Sequence, residues 1–292
     1  MTATARQRER MYRAYMEFFE IAERHRRWSV FDDIPWERLG RERISENTAV
    51  CLETFCGVEL YVPDYTANGL ILLRSMFGHA WFQANWGYEE SKHALVFREY
   101  LIRSGLRSEE QYSDYEEQIF SKVWNLPFAT RREMVCYGAL QEMATYLIYA
   151  AQRDKHEREG NQVLQNVFRL VARDEAAHLG FYRKVLRFEL EDNREDTLED
   201  LAHVVAHFRM PGADLIPDYN QRLQEEGVGL TPQEFLRLGI FPTLKSVGTT
   251  RVELMQALRR RNGRADAISA DTSPAARSTP VLLPGAAGAV KR

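Results

Sequence analysis

The feature that most constrains this chain is a polar unit that occurs twice, each time in apolar surroundings. Glu90-Ser91-Lys92-His93 and Glu175-Ala176-Ala177-His178 are Glu-x-x-His motifs. On a helix, this i, i+3 spacing sets carboxylate and imidazole on one face. Glu59 precedes Glu90 by 31 residues and Glu142 precedes Glu175 by 33. The motifs lie in rows that advance by threes and fours: Phe82, Trp86, Glu90, His93, Phe97, and Leu164, Phe168, Val171, Glu175, His178, Tyr182, Val185. Glu142 and Thr145 fall in a third row, Val135, Gly138, Glu142, Thr145, Tyr149. Such rows face a core, and a carboxylate buried there without a partner neutralises itself by taking a proton. A counter-charge or a metal ion is needed, which disfavours a surface helix face. A buried ion-pair network stands as the metal-free alternative.

The same spacing implies the fold. A gap near 30 residues is two helices of about 15 residues joined by a turn, roughly 22 Å each, so that the paired glutamates face one another across a bundle. Apolar three- and four-residue steps predict an all-α domain, with an N-terminal helix and then helices at about Ser45–Arg74, His79–Arg103, Ser108–Trp124, Thr130–Asp154, Gly160–Glu191 and Thr197–Phe208. One or two more fall between Pro217 and Arg261. Pro63, four residues after Glu59, either kinks its helix at a candidate ligand or ends it. The expected organisation is a helical domain over 1–261 and a disordered tail over 262–292, where Ala, Ser, Pro and Gly prevail without periodicity.

Six residues thus become candidate metal ligands: Glu59, Glu90, His93, Glu142, Glu175 and His178. Four carboxylates balance two divalent ions and leave a neutral site that can be buried among aromatic rings. Mixed oxygen and nitrogen donors suit iron or manganese, and the lack of thiolates disfavours structural zinc. One Glu from each of two helices plus Glu-x-x-His from each of two others resembles the ferritin-like di-iron and di-manganese carboxylate proteins. The expected architecture is a ferritin-like four-helix bundle with additional flanking helices.

Composition narrows the remaining classes. A net charge of −3, from 39 basic and 42 acidic side chains, gives no field for nucleic acid or a membrane surface. Cys51, Cys56 and Cys136 form neither an even set nor a C-x-x-C pair, which argues against a disulfide framework and suits a reducing cytoplasm. The charged N-terminus lacks a signal-peptide core, and no run approaches the roughly 20 apolar residues of a membrane span. His203 and His207, four apart, lack the Glu of a metalloprotease helix and read as a surface pair.

Four segments, Glu59-Leu60-Tyr61-Val62-Pro63-Asp64-Tyr65, Tyr88-Glu89-Glu90-Ser91-Lys92-His93, Gln141-Glu142-Met143-Ala144-Thr145 and Arg173-Asp174-Glu175-Ala176-Ala177-His178, resemble in order the ligand segments of the soluble acyl-carrier-protein desaturases. The likeness spans roughly residues 28 to 200. It implies a homodimer with two irons per chain that uses molecular oxygen and electrons from a ferredoxin-type donor to place a double bond in an acyl chain on acyl carrier protein. It also implies that Thr145 lies on the oxygen-binding side of the metals, that Asp174 orients a histidine by accepting its N–H, and that Trp28 links the site to electron transfer. The residues themselves leave open back-bonding for Thr145 and plain packing for Trp28. An acidic carrier protein calls for a basic patch, and Arg24, Arg26 and Arg27, Arg131 and Arg132, or Arg259, Arg260 and Arg261 are the candidates. The chain is shorter than the plant enzymes of that family. Ligand spacing does not separate desaturation from hydroxylation or amine oxidation on the same metals, and ferritin-like iron handling is a further alternative.

Overall fold

The structure, a computed structural model, describes residues 3–40 and 44–269, with backbone alone for 263–269. Among the described residues there are helices and connections but no strand, as the periodicity predicts. In chain order the helices are α1 Ala5–Ile21, α2 Glu46–Glu59, α3 Val62–Leu73, α4 Phe77–Arg103, α5 Glu109–Phe120, α6 Arg131–Glu159, α7 Gln162–Asp192, α8 Arg194–His207, α9 Tyr219–Glu225, α10 Pro232–Phe235, α11 Phe241–Ser246 and α12 Arg251–Ser269. Side-chain caps mark many of the starts. Thr4 and Ser108 form capping boxes with Gln7 and Gln111, and Thr130, Asn161 and Asn193 accept backbone N–H groups of the first turns they precede.

The second half of the duplicated unit is folded as its spacing predicts. Helices α6 and α7, 29 and 31 residues long, form an antiparallel hairpin that turns at Gly160, whose φ of 77° closes α6 in the left-handed region. The first half departs from that picture. The expected continuous helix over Ser45–Arg74 is two helices, because α2 ends on Glu59 and α3 begins at Val62 with Pro63 in its first turn. There a missing N–H costs no helix bond, so Pro63 marks a break, not a kink. Helices α2 and α3 both pack on α4, and the chain between Glu59 and Glu90 holds all of α3 and half of α4.

Helices α2, α4, α6 and α7 surround the core, with α1 laid on α4 and α7, and α8 on α6, α7 and α12. Below the candidate ligands Phe82 stacks on Phe181 at 3.7 Å between ring centroids, and above them Phe55, Phe97, Tyr149 and Phe168 form an aromatic box. Helix α12 continues to Ser269, past the expected domain boundary at Arg261, since Arg264-Ala265-Asp266-Ala267-Ile268 holds no helix breaker. The rest of the expected tail, 270–292, lies outside the described residues. Among the described residues no helix is long and apolar enough to cross a membrane.

Candidate metal centre

All six residues singled out from sequence meet at the centre of the bundle, each 4% exposed or less. Glu59 closes α2, Glu90 and His93 sit midway along α4, Glu142 on α6, and Glu175 and His178 on α7. They form two overlapping groups: Glu59, Glu90, His93 and Glu175, and Glu90, Glu142, Glu175 and His178. Within each group one donor atom per residue lies within 4.8 Å of the others. Glu90 and Glu175 belong to both, so the two groups share two carboxylates and each adds one glutamate and one histidine of its own.

The donor atoms aim inward. His178 Nδ1 lies 2.9 Å from Glu90, 3.6 Å from Glu142 and 3.7 Å from Glu175, and His93 Nδ1 lies 3.1 Å from Glu90 and 3.4 Å from Glu175. Buried and without a hydrogen bond are Glu90 Oε1, Glu142 Oε2, both oxygens of Glu175 and Nδ1 of His178. A buried polar atom left unpartnered is costly, and five in one cluster are what cations at the two shared positions would satisfy. The residues present fit a pair of divalent ions.

Each histidine turns its other nitrogen to an acid just ahead of the opposite motif. His178 Nε2 is 2.7 Å from Glu89, and His93 Nε2 approaches Asp174 at 3.5 Å. Trp28 donates its indole N–H to Asp174 at 2.7 Å. Arg26, 6% exposed, donates to Asp174 at 2.7 Å and to both oxygens of Glu89 at 2.9 Å, while Arg27 adds a second cation on Glu89. Lys92 lies over the Trp28 ring, 4.5 Å from its centroid. Sequence reasoning missed Glu89 and Arg26. A signal for Glu89 was present, because it precedes Glu90 as Asp174 precedes Glu175. Arg26 reads locally as one member of a basic run.

Burial and mutual attraction shift the titrating groups of the cluster in both directions. Burial pushes the carboxyls of Glu59 and Glu142 well above the ordinary range. Burial also presses on Glu90, but His93 and His178 hold it down, at about 2. Both histidines are raised well above their usual value against the effect of burial, His93 chiefly by Glu90 and His178 by its surrounding carboxylates. Because ligands must be deprotonated to bind, divalent ions at these groups would compete with protons.

A cavity of about 20 Å³ adjoins the cluster, its wall including Glu59, Glu90, Thr145, Glu175, Met210 and Pro211. Thr145 is on this wall and donates its hydroxyl to Gln141 O at 3.0 Å, the back-bond ordinary for a mid-helix threonine. Most of the basic candidates are engaged within the chain: Arg24 with Glu20, Arg27 with Glu23 and Glu89, Arg131 with Glu189, Arg132 with Asp200, Arg260 with Glu199 and Arg261 with Asp200. Arg26 is interior. The rings of His203 and His207 lie tilted, 4.4 Å apart between centroids, on α8, and neither residue belongs to the two Glu/His groups found among the described residues. The three cysteines are free and buried.

An all-α bundle whose centre holds two Glu/His groups sharing two carboxylates defines a class of helical proteins with a buried carboxylate–histidine centre. The chain belongs to the fatty acid desaturase family, whose profile matches residues 42–226 and so contains all six candidate ligands. It is 28% identical over 142 residues to the putative acyl-carrier-protein desaturase DesA2 of Mycobacterium tuberculosis H37Rv, covering 48% of this chain and 49% of that protein. It is 22% identical over 142 residues to palmitoyl-(acyl-carrier-protein) 4-desaturase 2, chloroplastic, of Ophrys sphegodes, covering 47% of this chain and 37% of that one. These matches span about half or less of the relatives' own length. The X-ray structure of DesA2 from M. tuberculosis H37Rv superposes with a TM-score of 0.63 at 17% identity, covering 86% of this chain and 99% of the other, a likeness of fold.

Proposed function

We propose that this chain is an oxygen-dependent di-iron desaturase that introduces a double bond into an acyl chain carried on acyl carrier protein, with a ferredoxin-type electron donor and as a homodimer. The observation that carries the reading is the pair of Glu/His groups sharing Glu90 and Glu175. One ion would be held by Glu59, Glu90, His93 and Glu175, the other by Glu90, Glu142, Glu175 and His178. When bound, two irons supply the activation of molecular oxygen that removal of hydrogen from two adjacent unactivated carbons requires.

The chain's own residues do the rest. Asp174 and Glu89 orient His93 and His178, and Arg26 compensates both acids. Trp28, bonded to Asp174, is the link we assign to electron transfer. Phe55, Tyr65, Trp86 and Ile148 give the cavity a dry wall, and Thr145 brings a hydroxyl to it that can turn from Gln141 O toward the metals. The cavity, about 20 Å³, is far smaller than the several hundred cubic ångströms of ligand pockets. An acyl chain therefore enters only as the wall moves, and Met210 and Pro211, between α8 and α9, are its members outside any helix.

The test is to quantify iron in the purified protein and in Glu175→Ala and His178→Ala variants, then weigh the product after the reduced protein meets oxygen and an acyl-carrier-protein thioester. Two irons per chain, lost in the variants, with a product lighter by two hydrogens, is the expected outcome. A product heavier by one oxygen would make the protein an oxygenase. A wild type that stays iron-free on reconstitution would overturn the di-iron reading.

A further inference from the structure

We propose that Tyr149 and Trp86 are positioning residues that hold Glu59 and Glu142 toward the metal centre, and that each serves a different metal position. The inference rests on the two-metal reading above. Tyr149 donates its hydroxyl to Glu59 Oε1 at 2.6 Å, and Trp86 donates its indole N–H to Glu142 Oε1 at 2.9 Å. In Glu142 the other oxygen, Oε2, is buried without a hydrogen bond and lies 3.6 Å from His178 Nδ1, on the cluster side. Glu59 and Glu142 are the two glutamates that belong to one group each, so a strut on one acts on one metal position.

Three features argue that these contacts position a ligand. The donors are fixed: Tyr149 is 2% exposed and boxed by Phe55, Phe97 and Phe168 at centroid distances of 5.1, 5.8 and 5.8 Å, and Trp86 is 4% exposed. They are also neutral. An Arg or Lys at the same places would cancel carboxylate charge that the two divalent ions need, whereas a phenol and an indole satisfy one oxygen and leave the charge to the metals. Cations are used only one layer out, where Arg26 offsets Glu89 and Asp174. Finally, every strut comes from another helix: α6 holds the ligand of α2, α4 holds that of α6, and α4 and α7 hold each other's histidines through Glu89 and Asp174. Tyr149 and Trp86 each brace a glutamate that belongs to one group alone, so losing either donor acts on one metal position.

The experiment is a titration of metal-free protein with manganese(II), read by calorimetry and equilibrium dialysis, for wild type, Tyr149→Phe and Trp86→Phe. Tyr149→Phe keeps the ring in its box and removes only the donor. We expect two binding events in wild type, one of them weakened about 10- to 100-fold in Tyr149→Phe, the usual range for losing a ligand's supporting bond. Trp86→Phe should weaken the other event by a similar factor. Assignment follows from combination: the Tyr149→Phe effect should persist with His178→Ala and vanish with His93→Ala. If both variants leave both constants unchanged, or weaken both events equally, or shift only the melting temperature of the metal-free protein, the positioning role is overturned while the two-metal reading stands. A wild type that binds no metal overturns both. Either variant alone carries the test should the other fail to fold.

Discussion

Arg26 shows why some of the site was invisible in the sequence. It lies in a π-helical turn, Ala22–Arg26, inside the run Arg24-His25-Arg26-Arg27, and nothing local in the sequence distinguishes it from the other basic residues of that run. Only the packing of α1 on α4 and α7 brings its guanidinium between Glu89 and Asp174. The six candidate ligands, by contrast, were legible because each polar residue interrupts an apolar helical row, a local pattern that burial must answer. His79 is the residue-scale contrast: it shares the buried row of α4, yet both ring nitrogens lack a partner and it sits among Phe82, Phe181 and Tyr182. Burial, aided by Arg131, holds it neutral and lowers its pKa from 6.5 to about 3. The sign follows from linkage: the unfolded chain takes a proton that the folded chain refuses, so His79 costs no stability above pH 6.5 and erodes it as pH falls toward 3. His79→Leu, which forfeits no hydrogen bond, should leave stability at pH 8 within about 1 kcal/mol and lose less than wild type at pH 5. Urea melts at the two pH values check this, and parallel losses in the two proteins would refute it.

At the scale of elements, both helices of the α6–α7 hairpin were readable from their apolar period, but the turn was not placed: the expected first helix stopped at Asp154, whereas α6 runs on to Glu159, and Gly160, expected to open the second helix, closes the first. The α2–α3 break was not readable. A proline four residues after Glu59 is compatible with a kinked helix and with a new first turn, and the choice depends on how both segments pack on α4. Two glycines of the hairpin should respond in opposite directions. Gly160 holds φ 77° with nothing within 4 Å of an added Cβ, so Gly160→Ala meets only backbone strain and should destabilise by about 1–2 kcal/mol. Gly180, inside α7 and equally free of neighbours, has ordinary helical geometry, and Gly180→Ala should stabilise by about 0.5–1 kcal/mol. Equilibrium denaturation of the two variants beside wild type measures both, and a stabilising Gly160→Ala would contradict the turn geometry.

The molecule as a whole presents one feature that a single chain does not explain. Helix α4 buries Phe82, Trp86, Glu90, His93 and Phe97 on its inner face, while Phe77, Trp81, Tyr88 and Leu95 stay 50% exposed or more. Trp81, Tyr88 and Leu95 are seven residues apart and Phe77 stands four before Trp81, so at about 100° per residue they form one narrow outward stripe. Stacking of Phe77 on Trp81, and the edges of Tyr12 and Tyr15 on the same indole, extend the stripe onto α1. A contiguous apolar surface of this kind marks an interaction site, and a seven-residue period suits a second helix laid alongside. The proposed homodimer would bury this stripe against its own copy about a twofold axis, joining two α4 helices whose opposite faces each carry Glu90 and His93. Sedimentation velocity should then give a dimer for wild type and a monomer for Trp81→Glu, with metal content per chain unchanged because Trp81 points away from the ligands. A monomeric wild type would remove the dimer proposal. A Trp81→Glu protein that remains dimeric would move the interface off α4.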